Sequence, residues 1–159
     1  MKINRGTLQV AAAAFDHGAP MPQRHSVDGI GVSPELSWVG APEGTASFAL
    51  VVHDPDAPVV DGFTHWVVYG IPASTNALPE GVGADHVDGL NSKGTPGWYP
   101  AAPPPGHGTH HYFFHLYALD AGLPGLPASL GAAELLSRID PHILNQARVV
   151  GTFRRDVST

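Results

Sequence analysis

The stretch Ser47-Phe48-Ala49-Leu50-Val51-Val52-His53-Asp54-Pro55-Asp56-Ala57-Pro58 decides how this chain is read. Its even positions Phe48, Leu50 and Val52 alternate with Ser47, Ala49 and Val51, and both sets are mostly apolar. A strand of that pattern is covered on both faces. Asp54 and Asp56 then stand at the mouth of a turn. Pro55 and Pro58 fix φ and remove backbone donors, which stiffens it. A stiff loop on a β scaffold is a good platform for a site, although an Asp-rich turn can equally just end a strand. Beyond the turn, His65-Trp66-Val67-Val68-Tyr69 reads as the next strand, with His65, Val67, Tyr69 and Ile71 on one face and Pro72 as its end.

Outward from this pair the chain stays rich in β signals. Leu8 to Phe15 reads as a first strand closed by Asp16-His17-Gly18. Met21 to Ser33 is irregular, and Leu36-Ser37-Trp38 is a short apolar piece. Residues 73–96 show no period and read as a long ordered loop. The tract Gly97-Trp98-Tyr99-Pro100-Ala101-Ala102-Pro103-Pro104-Pro105-Gly106 favours extended backbone and leads straight into the longest strand. In that strand, His110 to Leu119, the residues His110, Tyr112, Phe114, Leu116 and Ala118 share one face. His111, Phe113, His115 and Tyr117 share the other. Ala132, Ala133, Leu135, Leu136 and Ile139 recur at helical spacing. Asp140-Pro141 predicts a second short helix that buries Ile143, Leu144 and Ala147. Val149 to Phe153 reads as a last strand.

Residues 1–159 are read as a single domain, since 159 residues bury a core without staples. There are no cysteines, which excludes disulfides and thiol catalysis. The formal charge of −6 and the 8 Lys and Arg argue against nucleic acid as a partner. With 19 Gly, 16 Pro and only 14% charged residues, a loop-rich, mainly β fold is expected. No apolar run is long enough to span a bilayer. Lys2 and Arg5 before the apolar Leu8 to Phe15 resemble a minimal leader. The run is short and continues into domain sequence, so a first strand and a cytoplasmic protein are expected.

The candidate chemistry lies in Asp54, Asp56, His65, His110 and Tyr112. If the three strands that carry them are neighbours with aligned ends, all meet at one rim. Asp plus His is also the kit for general acid–base hydrolysis, with Tyr112 or a water as nucleophile or proton donor. No strained nucleophile elbow and no Cys supports that alternative, and catalysis is not expected. Zinc could take two His and an Asp, but no helical His signature is present, and neither metal nor cofactor is expected. Trp98 and Tyr99 beside the prolines would make an aromatic lip for a protein partner.

The order of these motifs resembles the phosphatidylethanolamine-binding protein family, in its bacterial and archaeal branch. The matching pieces are Asp54-Pro55-Asp56-Ala57-Pro58, His65-Trp66-Val67-Val68, and Pro103-Pro104 followed by His110-His111-Tyr112. Ser33-Pro34-Glu35-Leu36-Ser37-Trp38, Asn91-Ser92 and Val150-Gly151-Thr152-Phe153 extend the resemblance over nearly the whole chain. It implies antiparallel sheets in Greek-key order with short C-terminal helices, and a small cavity that accepts phosphate or phosphoethanolamine-type anions. By motif position the cavity residues would be Asp54, Asp56, His65, His110 and Tyr112, with Pro103 and Pro104 as a wall. The resemblance also implies a homodimer, and in the eukaryotic branch such proteins restrain kinases or proteases. Two positions depart from the family pattern. Ala102 stands where Gly usually precedes the Pro pair, and its methyl narrows the expected cavity. His111 replaces the Arg of a His-Arg-Tyr motif. Facing away from His110, it belongs to packing or an ion pair.

Two aspartates beside an anion call for an electrostatic explanation. Each can accept from one ring nitrogen of His65 or His110, orient the ring and favour its charged form. The other nitrogen then donates to the ligand, helped by Tyr112 and by backbone N–H groups near Gly106 to His110.

Overall fold

The computed structural model describes residues 6–81 and 85–157. Lys2 and Arg5, on which the leader reading turned, and Gly83 lie outside them. Among the described residues eight strands form in chain order: β1 (Gln9–Ala12), β2 (Leu36–Val39), β3 (Ser47–Asp54), β4 (Phe63–Pro72), β5 (Ala77–Leu78), β6 (Val87–Asp88), β7 (His110–Leu119) and β8 (Ile143–Phe153). One α-helix, α1 (Ala132–Ile139), precedes β8. All the strand ladders are antiparallel. A small sheet runs β1-β2-β5 and a large one β6-β4-β3-β7-β8. β3 and β4 form a hairpin, and the long connection through the proline tract returns β7 to the other edge of β3, which is Greek-key order.

β3 lies in the middle of the large sheet and is covered on both faces. Phe48, Leu50 and Val52 join Leu36, Trp38 and Leu78 of the small sheet in a core between the sheets. Ala49 and Val51 face the opposite way, onto Leu130 and onto Leu135 and Ile139 of α1. The faces of β7 follow the alternation of its sequence. Tyr112, Phe114, Leu116 and Ala118 are buried between the sheets, while His111 is exposed on the other side.

Four expectations are corrected. The first strand is Gln9–Ala12, shorter than Leu8 to Phe15. The long loop contains β5 and β6, two-residue strands that close the edges of the sheets. The second helix is a single 3-10 turn, Asp140–His142, with no side-chain cap. Ile143, Leu144 and Ala147 belong instead to β8, which therefore starts six residues before Val149. The free edge of β7 explains this, since it pairs with β8 from His110↔Phe153 to Leu119↔Ile143 and outweighs a local Asp-Pro signal.

The fourth correction concerns the face assigned to β4. Val52 pairs with Trp66 but His53 pairs with Thr64, so His65 has no partner of its own on β3. A second slip falls between Phe48↔Ile71 and Leu50↔Val68, where Gly70 has φ 67°. Each bulge turns the strand by one residue. Ile71 joins Trp66 and Val68 in the core between the sheets, whereas Val67 and Tyr69 face α1. His65 likewise turns to the first side, its ring 5.1 Å from that of Tyr112.

Candidate functional site

Antiparallel pairing sets the end of β3 beside the beginnings of β4 and β7, with Asp54 opposite Phe63 and His53 opposite Phe113. The turn after β3 is built on Asp54, whose Oδ1 accepts the Asp56 N–H at 2.8 Å. Gly62 closes this turn at φ 68°, where a Cβ would stand 2.4 Å from the Asp54 carbonyl oxygen. Only glycine fits such a position.

Asp54 and His110 form a buried pair, 2% and 1% exposed, with Oδ2 2.6 Å from Nδ1. A carboxylate only accepts, so Nδ1 carries the proton. The other ring nitrogen of His110 is 2.6 Å from Nδ1 of His107 on the preceding loop. A chain Asp54–His110–His107 thus runs from the interior to the surface, because His107 is exposed.

His65 is held differently. Its Nδ1–H donates to the Tyr99 carbonyl at 2.7 Å, and its own carbonyl accepts the Tyr99 N–H at 2.8 Å. With Nδ1 protonated, Nε2 presents a lone pair. Burial lowers the His65 pKa to about 4, outweighing the Tyr99 carbonyl and the Asp54 charge, which pull it upward. At neutral pH the ring is therefore an acceptor at Nε2. No carboxylate orients it, contrary to the symmetric scheme in which each aspartate serves a histidine.

Asp56 serves His111 instead. Its Oδ2 accepts both the backbone N–H and the ring Nδ1–H of His111, each at 2.8 Å. Burial pushes this carboxyl up, but the His111 hydrogen bonds and charge outweigh it, and the pKa lies below the usual value. This is the ion pair expected at the Arg-to-His departure.

A cavity of about 340 Å³ opens at this rim. Asp54, His65 and His110 line it together with Ala57, Pro58, Val59, Phe63, Lys93, Tyr99, Ala102 and Pro104. Of the residues singled out by sequence, Asp54, His65, His110 and Pro104 come together in its wall. Asp56, Pro103 and Tyr112 do not line it. Pro103 is buried beside the exposed Pro104. Tyr112 is completely buried with its ring edge against His65, and its hydroxyl has no partner. Burial, with the charges of Asp54 and Asp56, pushes its pKa well up. The expected backbone nest is partly used, since Gly106 N–H bonds Arg155 O and His107 N–H bonds Pro104 O.

Phe63, Lys93 and His107 were missed as site residues. Phe63 packs 4.7 Å from the His65 ring and 5.4 Å from that of Tyr99, so three rings form one side of the mouth. Lys93 lies over the Tyr99 ring, Nζ 5.6 Å from its centroid, and is the cation of the cavity wall. The available signal was its rarity, since Lys2 and Lys93 are the chain's only lysines. Among the described residues no group of three or more His, Asp or Glu is placed to hold a metal ion. No helix among them is long and apolar enough to cross a membrane.

A UPF0098 protein of Aquifex aeolicus is 38% identical over 156 residues, covering 94% of this chain and 90% of the relative. LppC of Mycobacterium tuberculosis, whose name proposes a lipoprotein, is 41% identical over 150 residues and covers 92% of this chain and 72% of the relative. The crystal structure of CT736 from Chlamydia trachomatis superposes with a TM-score of 0.89 at 35% identity, covering 95% of this chain and 99% of that one. YbcL of E. coli gives 0.86 at 30% identity, covering 96% and 100%. The family model for phosphatidylethanolamine-binding protein matches residues 11–154. The chain belongs to the phosphatidylethanolamine-binding protein family.

Proposed function

We propose that the cavity binds a small monoanion of the phosphate or phosphoethanolamine type, and that it does so without catalysis. The observation that carries this reading is the presence in one wall of two histidines held differently, His110 by a buried carboxylate and His65 by a backbone carbonyl. Asp54 holds His110 by Nδ1 and fixes its ring, so that Nε2 is the nitrogen left for a ligand. Where that Nε2 carries a proton, it donates to the anion once His107 swings away. His65, neutral and with a free Nε2, accepts the proton that a monoanionic phosphate still carries. Lys93 adds a fixed positive charge to the wall.

A charge-assisted hydrogen bond contributes about 1.5–3 kcal/mol, so this set supports roughly millimolar to micromolar affinity. Tyr112 is buried and does not line the cavity, which supports binding over a hydrolytic role for its hydroxyl. The reading takes the protein to be a cytoplasmic homodimer that restrains a kinase or protease partner. Light scattering of the purified chain tests the dimer.

Calorimetric titration with phosphate is the direct test. Binding is expected to be tighter at pH 5.5 than at pH 8.5, because at the higher pH the phosphate has lost the proton that His65 accepts. His110→Ala is expected to abolish it, while His111→Ala, whose side chain bonds Asp56 and does not line the cavity, leaves it nearly unchanged. Equal affinity at both pH values would reject the mechanism.

A further inference from the structure

The cavity of about 340 Å³ is larger than its anion requires. Cavities of roughly 300 Å³ and above hold organic ligands, and a single phosphate group fills a minor part of this one. His65, His110 and Lys93, which serve the anion, make up a small share of the wall. Most of the remainder is apolar: Ala57, Pro58, Val59, Phe63, Ala102 and Pro104. Val59 is 58% exposed, and Val60 next to it in the chain, at 90%, is the most exposed large hydrophobic side chain among the described residues. Apolar surface left in water beside a polar site marks the seat of an apolar part of the ligand.

The same wall is a poor host for a cation. Among the described residues Asp54 is the one carboxylate that lines it. Both its oxygens are engaged, Oδ1 by the Asp56 N–H at 2.8 Å and Oδ2 by His110 at 2.6 Å. Asp56 lies outside the wall and is held by His111 at 2.8 Å. An aromatic face takes a cation where no carboxylate does. The Tyr99 ring already carries Lys93, Nζ 5.6 Å from its centroid, and Phe63 packs 4.7 Å from His65 and 5.4 Å from Tyr99. Lys93 itself is a like charge that a ligand cation would face.

We propose, resting on the anion reading above, that the cavity selects a phosphomonoester whose organic group is short, apolar and uncharged, and that Lys93 and Phe63 set this preference. The phosphoryl group belongs to His65 and His110, the organic group to the apolar wall around Phe63 and Val59. Phosphoethanolamine satisfies the first requirement and not the second. Its ammonium would leave water for apolar surface and the charge of Lys93, with no carboxylate free to receive it.

Propyl phosphate and phosphoethanolamine test this, because they differ only by a methyl in place of an ammonium. Both are titrated calorimetrically into the whole chain at pH 5, beside inorganic phosphate. At that pH all three carry mainly a monoanionic phosphoryl group, and His65 is mainly neutral. Propyl phosphate is expected to bind about tenfold tighter than phosphate and about tenfold tighter than phosphoethanolamine. Tenfold corresponds to roughly 55 Å² of apolar surface leaving water, less than a propyl group exposes. Lys93→Gln is expected to narrow the gap between propyl phosphate and phosphoethanolamine several-fold. Phe63→Ala, and Val59→Ser at an exposed position, are expected to narrow the gap between propyl phosphate and phosphate. Each gap is a ratio measured on one preparation, so a loss of folded protein cancels from it. If phosphate binds and propyl phosphate binds no tighter, or phosphoethanolamine equals it, the proposal falls while the anion reading stands. Gaps unchanged in all three variants overturn the roles of Lys93 and Phe63. If none of the three compounds binds, the anion reading falls as well.

Discussion

At the scale of single residues, the two cavity histidines are opposites, and the difference is set by their partners. His110 leans on a buried carboxylate, His65 on a backbone carbonyl. His65 therefore links stability to acidity. Its folded pKa of about 4 lies below the ordinary value of 6.5, so the unfolded chain binds the extra proton between those limits. Its contribution is present above pH 6.5 and is lost as pH falls toward 4. Urea unfolding at pH 7.5 and pH 5 is expected to show about 2 kcal/mol more loss for the wild type than for His65→Phe. An equal loss in both would mean that the ring is protonated in the folded state. His107 supplies a second residue-scale prediction. It occupies the nitrogen of His110 that the anion needs. His107→Ala is therefore expected to tighten phosphate binding several-fold by calorimetry, and weakening would make His107 a ligand contact instead of a competitor.

At the scale of elements, the site depends on a turn and a bulge, and these differ in how far sequence reveals them. The turn is legible, because Asp54-Pro55-Asp56-Ala57-Pro58 announces its own stiffness. The bulge is not. Strict alternation put His65 with Val67, and only the mismatch between Val52↔Trp66 and His53↔Thr64 turns it toward Tyr112. An extra residue in a strand is a property of the pair, so one strand's sequence cannot display it. The misread helix after Pro141 has the same origin, a partner edge on β7 that no local pattern encodes. Lys93 was missed because it enters the wall from a segment distant in sequence from Asp54, His65 and His110, whereas Phe63, opposite Asp54 in the hairpin, lay within reach of the local pattern. The turn itself can be tested at Gly62. Gly62→Ala forces a Cβ to within 2.4 Å of the Asp54 carbonyl oxygen at φ 68°. It is expected to destabilise the fold by about 1–3 kcal/mol. It should also weaken phosphate binding, because the strain falls on the residue that orients His110. Thermal melts and calorimetry on the same sample separate the two effects.

At the scale of the whole molecule, β3 divides the protein into two functional layers. Its mixed apolar pattern made the covering of both faces readable from sequence, but not which layer would hold the rim residues. The layer between the sheets carries Tyr112, whose ring edge meets His65 of the cavity wall. The layer under α1 holds Leu135 and Ile139 and contributes nothing to the cavity wall. Damage to the second layer should therefore lower stability without altering the site. Leu135 is completely buried, and Leu135→Ala is expected to cost about 2–5 kcal/mol in urea unfolding. The folded fraction should keep the wild-type phosphate affinity, since no wall residue loses a contact. A parallel loss of affinity would show that α1 reaches the cavity through β3, and that the sheet is a coupled unit and not a partition between core and site.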